Sequence, residues 1–500
     1  AWPQPTARHP PAADPKHREH ASTAQSQTGA RRSSLTERSR LNETFTLPVE
    51  GHGSGPGPLA WGQSGYFNYE AKNSREHQRN KMVIRLPGEM HTPGNDRTLS
   101  AVQSLLTRHG VLRTTYDVRR LAPTNFLNPD EYVVQNVLRS YAIPCIIRRD
   151  ATIGRRGGLN PADAPRSLVD RFDFAERPPV QLELLPTEDD TWVAALVVSR
   201  MSTDAAGAAA LKRDFEFFCK GHDLATLPPA AQPLDVQALE GSSALISRSD
   251  RALAYLERTL RSAPSDTYFR RSPRVGAGAQ SLTSGRISTA LSDIAASAGV
   301  ARASVALALF GLLEAFDRGS THGLIRSMFA RPSPLPGTTY AAPNCFTALI
   351  PIHVEPTSSI LDFVRTASRS AIIGYTHTLY DPTAYENMER DVSATLKCDE
   401  LNSFCYFNYQ SSRSTVPDGI GDSIDVEVWK TPDIQAPPVN SHAVFDYVEH
   451  GFVDTISVRA DGWDRFADST DFLSAYFRLL RRAQSDAHMT VQYLLGNAMS

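Results

Sequence analysis

Positive and negative charges almost cancel along the chain: 52 Lys and Arg stand against 54 Asp and Glu, a formal net charge of −2 over 500 residues. No broad basic field is available to nucleic acid or to an anionic lipid surface, and neither partner is expected. Long apolar runs are missing as well. No stretch approaches the ~18–20 residues that span a bilayer, and the first residues lack the short hydrophobic segment of a secretory signal. The expectation is a cytoplasmic chain with no membrane partner. Cysteines are few and odd in number: Cys145, Cys219, Cys345, Cys398 and Cys405 lie far apart, without the paired spacing of a zinc site or a disulfide framework. They read as reduced, buried small hydrophobes, Cys405 within the strand-like Phe404-Cys405-Tyr406-Phe407 included. His52, His91 and His109 are too scattered to share a metal, and Gly276-Ala277-Gly278 lacks the strand-to-helix context of a nucleotide loop. No bound cofactor is expected.

What is present suits a large globular core, with 41% hydrophobic residues. Residues 1–57 are rich in Pro, Ser, Thr, Arg, Gln and His with little periodicity, and read as a disordered segment ending at the Gly/Pro run 51–58. Folding is expected from about Leu59. Alternation and helical spacing then predict strands at 80–86, 116–119, 181–185 and 191–199, and helices at 97–110 and 204–220. A proline-rich stretch, 227–233, reads as an interdomain connection, dividing the folded part into 58–232 and 233–500. The second half predicts helices at 250–263, 292–299, 304–317, 360–377 and 471–483, with a Gly/Ser/Pro-rich break at 272–281. Strands are predicted at 324–329, 346–354, 403–409, 424–429, 443–450 and 452–458. The fold class is mixed α/β (α+β), with a sheet and covering helices in each half.

Five ordered segments carry a resemblance. They are Leu59-Ala60-Trp61-Gly62-Gln63-Ser64-Gly65-Tyr66-Phe67; Leu105-Leu106-Thr107-Arg108-His109-Gly110-Val111-Leu112-Arg113-Thr114-Thr115-Tyr116; Phe172-Asp173-Phe174 leading to Val180; Asn344-Cys345-Phe346 leading to Ile352; and Phe407-Asn408-Tyr409-Gln410. Each is weak alone. As an ordered set spanning about Leu59 to Asp486, the chain resembles the condensation domains of non-ribosomal peptide synthetases, as a stand-alone, divergent member. The resemblance implies a V-shaped pseudo-dimer of two chloramphenicol-acetyltransferase-like subdomains around a central tunnel. It also implies natural-product biosynthesis on a thioester held by the phosphopantetheine arm of a peptidyl or acyl carrier protein, attacked by an amine or hydroxyl. A monomer is expected.

The resemblance departs at its most chemical point. The family's His-His-x-x-x-Asp-Gly signature follows its central strand; here that strand runs into Ser199-Arg200-Met201-Ser202-Thr203-Asp204-Ala205. Ser199 and Arg200 replace the histidines and Asp204 keeps the aspartate. A guanidinium stays protonated at neutral pH, so Arg200 cannot act as general base. Three readings stay open for it: an anchor for a carboxylate, carbonyl or developing oxyanion; a dead site on a docking platform, as in arginine-bearing relatives that recruit a tailoring enzyme to a carrier-bound peptide; or a plug held by a salt bridge. Use of a diffusible acyl-CoA, as in some fold relatives, is a further alternative. By the resemblance Asp204 is structural, paired with an arginine for which Arg113 is the candidate, and it also suits a helix N-cap. Ser199 joins Arg200 as a catalytic candidate; Ser202, His353 and Tyr406 are candidates for substrate binding. His353, His377 and His442 lie on or beside segments whose family counterparts line the second half of the tunnel, with a surface or packing role as their default, and Tyr406 and Tyr409 fall on a strand that faces the cleft in relatives, with core packing as theirs.

Overall fold

A computed structural model describes residues 42–51, 55–72, 81–118, 133–149, 172–264, 276–398, 404–411, 427–431, 441–450 and 453–498. Residues 1–41, and the expected strand limits at Asn80, Ser403, 424–426 and Phe452, lie outside them. Among the described residues, eleven helices accompany three sheets.

In the first half, strands β1 (Glu43–Glu50), β3 (Lys81–Arg85), β6 (Ser140–Ile147), β7 (Val180–Pro186) and β8 (Trp192–Ser199) form a sheet ordered β1-β6-β7-β8-β3. Strands β2 (Gly55–Pro58), β4 (Thr114–Val118) and β5 (Val133–Val137) form a small one ordered β2-β5-β4. The first strand corrects the expected start of folding. All eight of its residues pair antiparallel with β6, and the period-2 positions Leu47 and Val49 are buried. Pro48 suggests a breaker, yet a sheet edge tolerates a residue that donates no ladder hydrogen bond.

The continuous apolar run of β8 is covered on both faces, as such runs require. Ala194, Leu196 and Val198 face helices α2 (Asp96–Arg108) and α3 (Ala205–Cys219), chiefly through Leu105, Leu211 and Phe215, while helix α1 (Trp61–Lys72) lies towards the other face. Val197 packs instead with Phe67, Tyr116, Phe174 and Met201. At the end of α2, Arg108 and His109 both bond Asp214 of α3, at 2.7 and 2.9 Å, in a buried trio. Burial lowers the His109 basicity; for Asp214 burial acts upward, but the bonds from His109 and Arg108 prevail and hold it below the ordinary carboxyl value.

The connection at 227–233 is tied to both halves: Ala231 N donates to Thr339 O, and the Gln232 amide bonds Gly110 N and Arg108 O. Helices α4 (Pro233–Glu240) and α5 (Ser243–Ser262) follow. Strands β9 (Gly278–Ser284), β10 (His322–Ala330), β11 (Cys345–His353), β12 (Phe404–Ser411), β13 (Glu427–Lys430), β14 (Ser441–Glu449) and β15 (Asp454–Ala460) then build a sheet ordered β11-β10-β12-β14-β15-β9-β13. The expected break at 272–281 is corrected in its described part, because small polar residues conceal a strand that pairs along its whole length with β15. Helices α6 (Gly285–Ala298), α7 (Arg302–Arg318), α8 (Ile360–Thr376) and α10 (Ser469–Ser485) cover one face of this sheet; α5 and α9 (Pro382–Leu396) cover part of the other. Helix α11 (Val491–Ala498) closes the described chain against α10. Among the described residues no single helix is long and apolar enough to cross a membrane.

Candidate functional site

The site is built where β8 ends. Ser199 closes the strand, and its hydroxyl accepts from Met201 N at 3.1 Å while Ser202 N donates to Ser199 O at 2.9 Å. This tight turn throws Arg200 outward and drives Met201 into the core, at 1% exposure. Ser202, like Ser199, is fully buried; its hydroxyl lies 3.4 Å from that of Tyr116, which in turn donates to Met201 O and accepts from Gln63 Nε2. Both serines, candidates for catalysis and substrate binding, are therefore consumed by the turn that presents Arg200.

Asp204 works as a structural link, through other partners than the sequence suggested. One carboxylate oxygen accepts from Gly207 N at 2.8 Å, capping α3; the other accepts from Asn344 N at 2.8 Å, tying the loop to the second half. Burial pushes this carboxyl above its usual value, against the backbone N–H groups of Asn344 and Gly207. The expected pairing with Arg113 is corrected: Asp204 forms no ion pair among the described residues. Arg113 is buried elsewhere, donating to the carbonyls of Leu106, Thr107 and Leu138 and so satisfying the end of α2.

The Tyr340–Cys345 segment closes the site from the other half. Thr203 Oγ1 donates to Ala341 O at 2.8 Å. A Cβ on Gly207 would lie 2.1 Å from Ala341 O, and one on Gly62 2.0 Å from Pro343 O, so two glycines in α3 and α1 make room for one strand of backbone. Tyr340 within it and Ser64 of α1 are buried, with hydroxyls that find no hydrogen-bond partner among the described residues. The sequence reading did not place these residues at the site; Gly62 and Gly207, glycines in helical first turns, were the available signal. Arg200 itself is exposed and has no hydrogen bond or ion pair among the described residues. Its charge reaches Cys345, where it is outweighed: burial first, then the Asp204 carboxylate, push that thiol up to about 12. A thiol so poised is no nucleophile at neutral pH.

Among the described residues, no histidine bonds to residues 199–204. His353, a candidate for substrate binding, ends β11, eight residues from Cys345 and so roughly 27 Å along the strand, where it bonds His322. His377 stacks on Tyr255 at 4.2 Å, and His442 is buried against Asp461 and Trp463. Tyr406 is half-buried, accepting from Arg326 at 3.4 Å beside the buried Arg326–Glu389 pair. Its partner Arg326 lies four residues along β10 from Ala330, which faces Cys345, a separation of roughly 13 Å. Tyr409, three residues on, faces the opposite side of the sheet, where it stacks on Tyr447. Among the described residues, no three metal-ligating side chains converge.

No protein-family model matches the chain, and no curated protein does. Solved structures do. The condensation domain from the monacolin K polyketide synthase superposes with TM-score 0.64 at 13% identity, covering 88% of this chain and 100% of that one. The X-domain from teicoplanin biosynthesis gives 0.59 at 16%, covering 87% and 96%, and the same domain in complex with OxyB gives 0.60 at 14%, covering 89% and 97%. The chain therefore has the condensation-domain fold of two chloramphenicol-acetyltransferase-like halves.

Proposed function

We propose that this chain belongs to natural-product assembly and acts on an acyl or peptidyl thioester carried by the phosphopantetheine arm of a carrier protein, with Arg200 supplying charge rather than taking a proton. The single observation that carries this reading is the exposed guanidinium at the end of β8, without a partner among the described residues and held outward by a turn whose two serines are sealed. In the step envisaged, an amine or hydroxyl of the acceptor attacks the thioester carbonyl. A C–N or C–O bond forms, the C–S bond breaks, and the proton lost by the nucleophile leaves with the pantetheine thiol. The leaving thiolate is basic enough, with an ordinary thiol near 8.5, to take that proton directly or through water. The protein's part is then to hold the two reactants together and to stabilise the carbonyl oxygen as it gains charge. Ring closure within one tethered chain follows the same balance.

A second reading rests on the likeness to the X-domain structure solved with OxyB: a non-catalytic platform that brings a tailoring enzyme to a carrier-bound peptide. The two separate with Arg200→Ala. If the chain is the acyltransferase, product from a carrier-loaded thioester falls by about 10²–10³-fold while carrier retention stays unchanged. Unchanged product formation with lost capture of the tailoring enzyme would overturn catalysis in favour of the platform.

A further inference from the structure

The far end of the second sheet holds a pair of side chains that the proposed chemistry does not use. His322 opens β10 and His353 ends β11, and the antiparallel register sets them directly opposite one another. Their rings lie 4.7 Å apart between centroids, with His322 Nε2 3.1 Å from His353 Nδ1. His353 is exposed and His322 half-exposed, so the pair is open to solvent. The other nitrogen of His322 is held by Thr321 Oγ1 at 3.1 Å, and its backbone N–H is fixed by Ser320 Oγ at 3.1 Å.

We propose that His322 and His353 form a two-imidazole site for a divalent transition metal of the copper, nickel and zinc class. Imidazole nitrogens bind such ions at about 2.0–2.1 Å. Two of them on one ion stand roughly 2.9 Å apart at a right angle and roughly 3.4 Å apart at a tetrahedral angle, from the same bond lengths. The observed 3.1 Å falls between these limits, so the ion enters with ring shifts of a few tenths of an ångström. In the metal-free pair one proton sits between the rings. On binding it moves to the outer nitrogen of the ring that carried it, both imidazoles remain neutral, and the facing nitrogens become ligands. Thr321 Oγ1 can donate or accept, so it supports His322 in either tautomer. Water completes the coordination. Because β11 is the sheet's edge, the ion clips an open strand end to its neighbour.

This site does not rest on the acyl-transfer reading, being roughly 27 Å along β11 from the Arg200 loop. The test is titration of the full chain with Cu²⁺, the tightest binder of the class, followed by electron paramagnetic resonance and by the thermal midpoint. One equivalent should show a two-nitrogen imidazole signature and raise the midpoint, as any ligand selective for the folded state does. His322→Asn and His353→Asn, both at solvent-open positions, should each weaken binding about tenfold or more and remove that signature. Equal affinity and an unchanged spectrum in both variants would place the copper elsewhere and overturn the proposal, as would failure of the wild-type chain to take up one equivalent.

Discussion

Replacing Asp204 separates the two structural roles the sequence allowed it. In Asp204→Ala, α3 loses its N-cap, a change that costs about 1 kcal/mol. The same substitution strands the N–H of Asn344, a residue 7% exposed, and an unpaired buried donor costs roughly 1–3 kcal/mol. The expected loss is therefore about 2–4 kcal/mol. Asp204→Asn keeps an acceptor for Gly207 but turns its amide towards a second donor at Asn344, so it should recover only the cap, about 1 kcal/mol of the total. Arg113 touches neither bond, and the Asp204→Ala/Arg113→Ala double mutant should show coupling below roughly 0.5 kcal/mol. Urea unfolding followed by far-UV circular dichroism supplies all the free energies. A coupling of 1 kcal/mol or more, or an Asp204→Ala loss within 0.5 kcal/mol of zero, on the scale of ordinary surface changes, would refute this assignment.

Two further outcomes follow from the same geometry. Gly207→Ala, normally favourable in a helix, should instead destabilise by about 1–3 kcal/mol, because its Cβ would press to 2.1 Å from a backbone carbonyl; chemical denaturation checks the sign. Burial raises the Asp317 carboxyl to about 6, above the unfolded value near 3.9. The folded state then holds more protons across that window, so this group's contribution falls as pH rises from 4 to 6, by up to ~3 kcal/mol. Asp317→Asn, measured by unfolding at several pH values, should flatten that slope.

The sequence made the central strand readable because an unbroken apolar run needs cover on both faces, and β8 has it. Asp204 before an alanine-rich helix likewise announced a cap. Other features depended on partners remote in the chain. Pro48 hid the alternation of β1, whose edge position only β6 defines. The small residues of β9 look like a break until β15 is beside them. Arg113 and Asp204 share motif positions but find separate backbone partners, and nothing in their spacing tells carbonyls at a helix end from a carboxylate. The turn that buries Ser199 and Ser202 while exposing Arg200 depends on Tyr116 and on Tyr340–Asn344, more than a hundred residues away on the later side. His353 and Tyr406 were placed by strand alone, whereas distance along the strand decides which end of the sheet each serves.

The most direct test is the pH dependence of kcat/KM for product formation from a carrier-loaded thioester. With a guanidinium at the end of β8 and, among the described residues, no histidine bonded to residues 199–204, the rate should climb only with ionisation of the acceptor nucleophile, without an inflection near 6.5. An inflection there that vanishes on replacing one histidine would show an imidazole taking the proton, and would contradict a site that works through Arg200's charge.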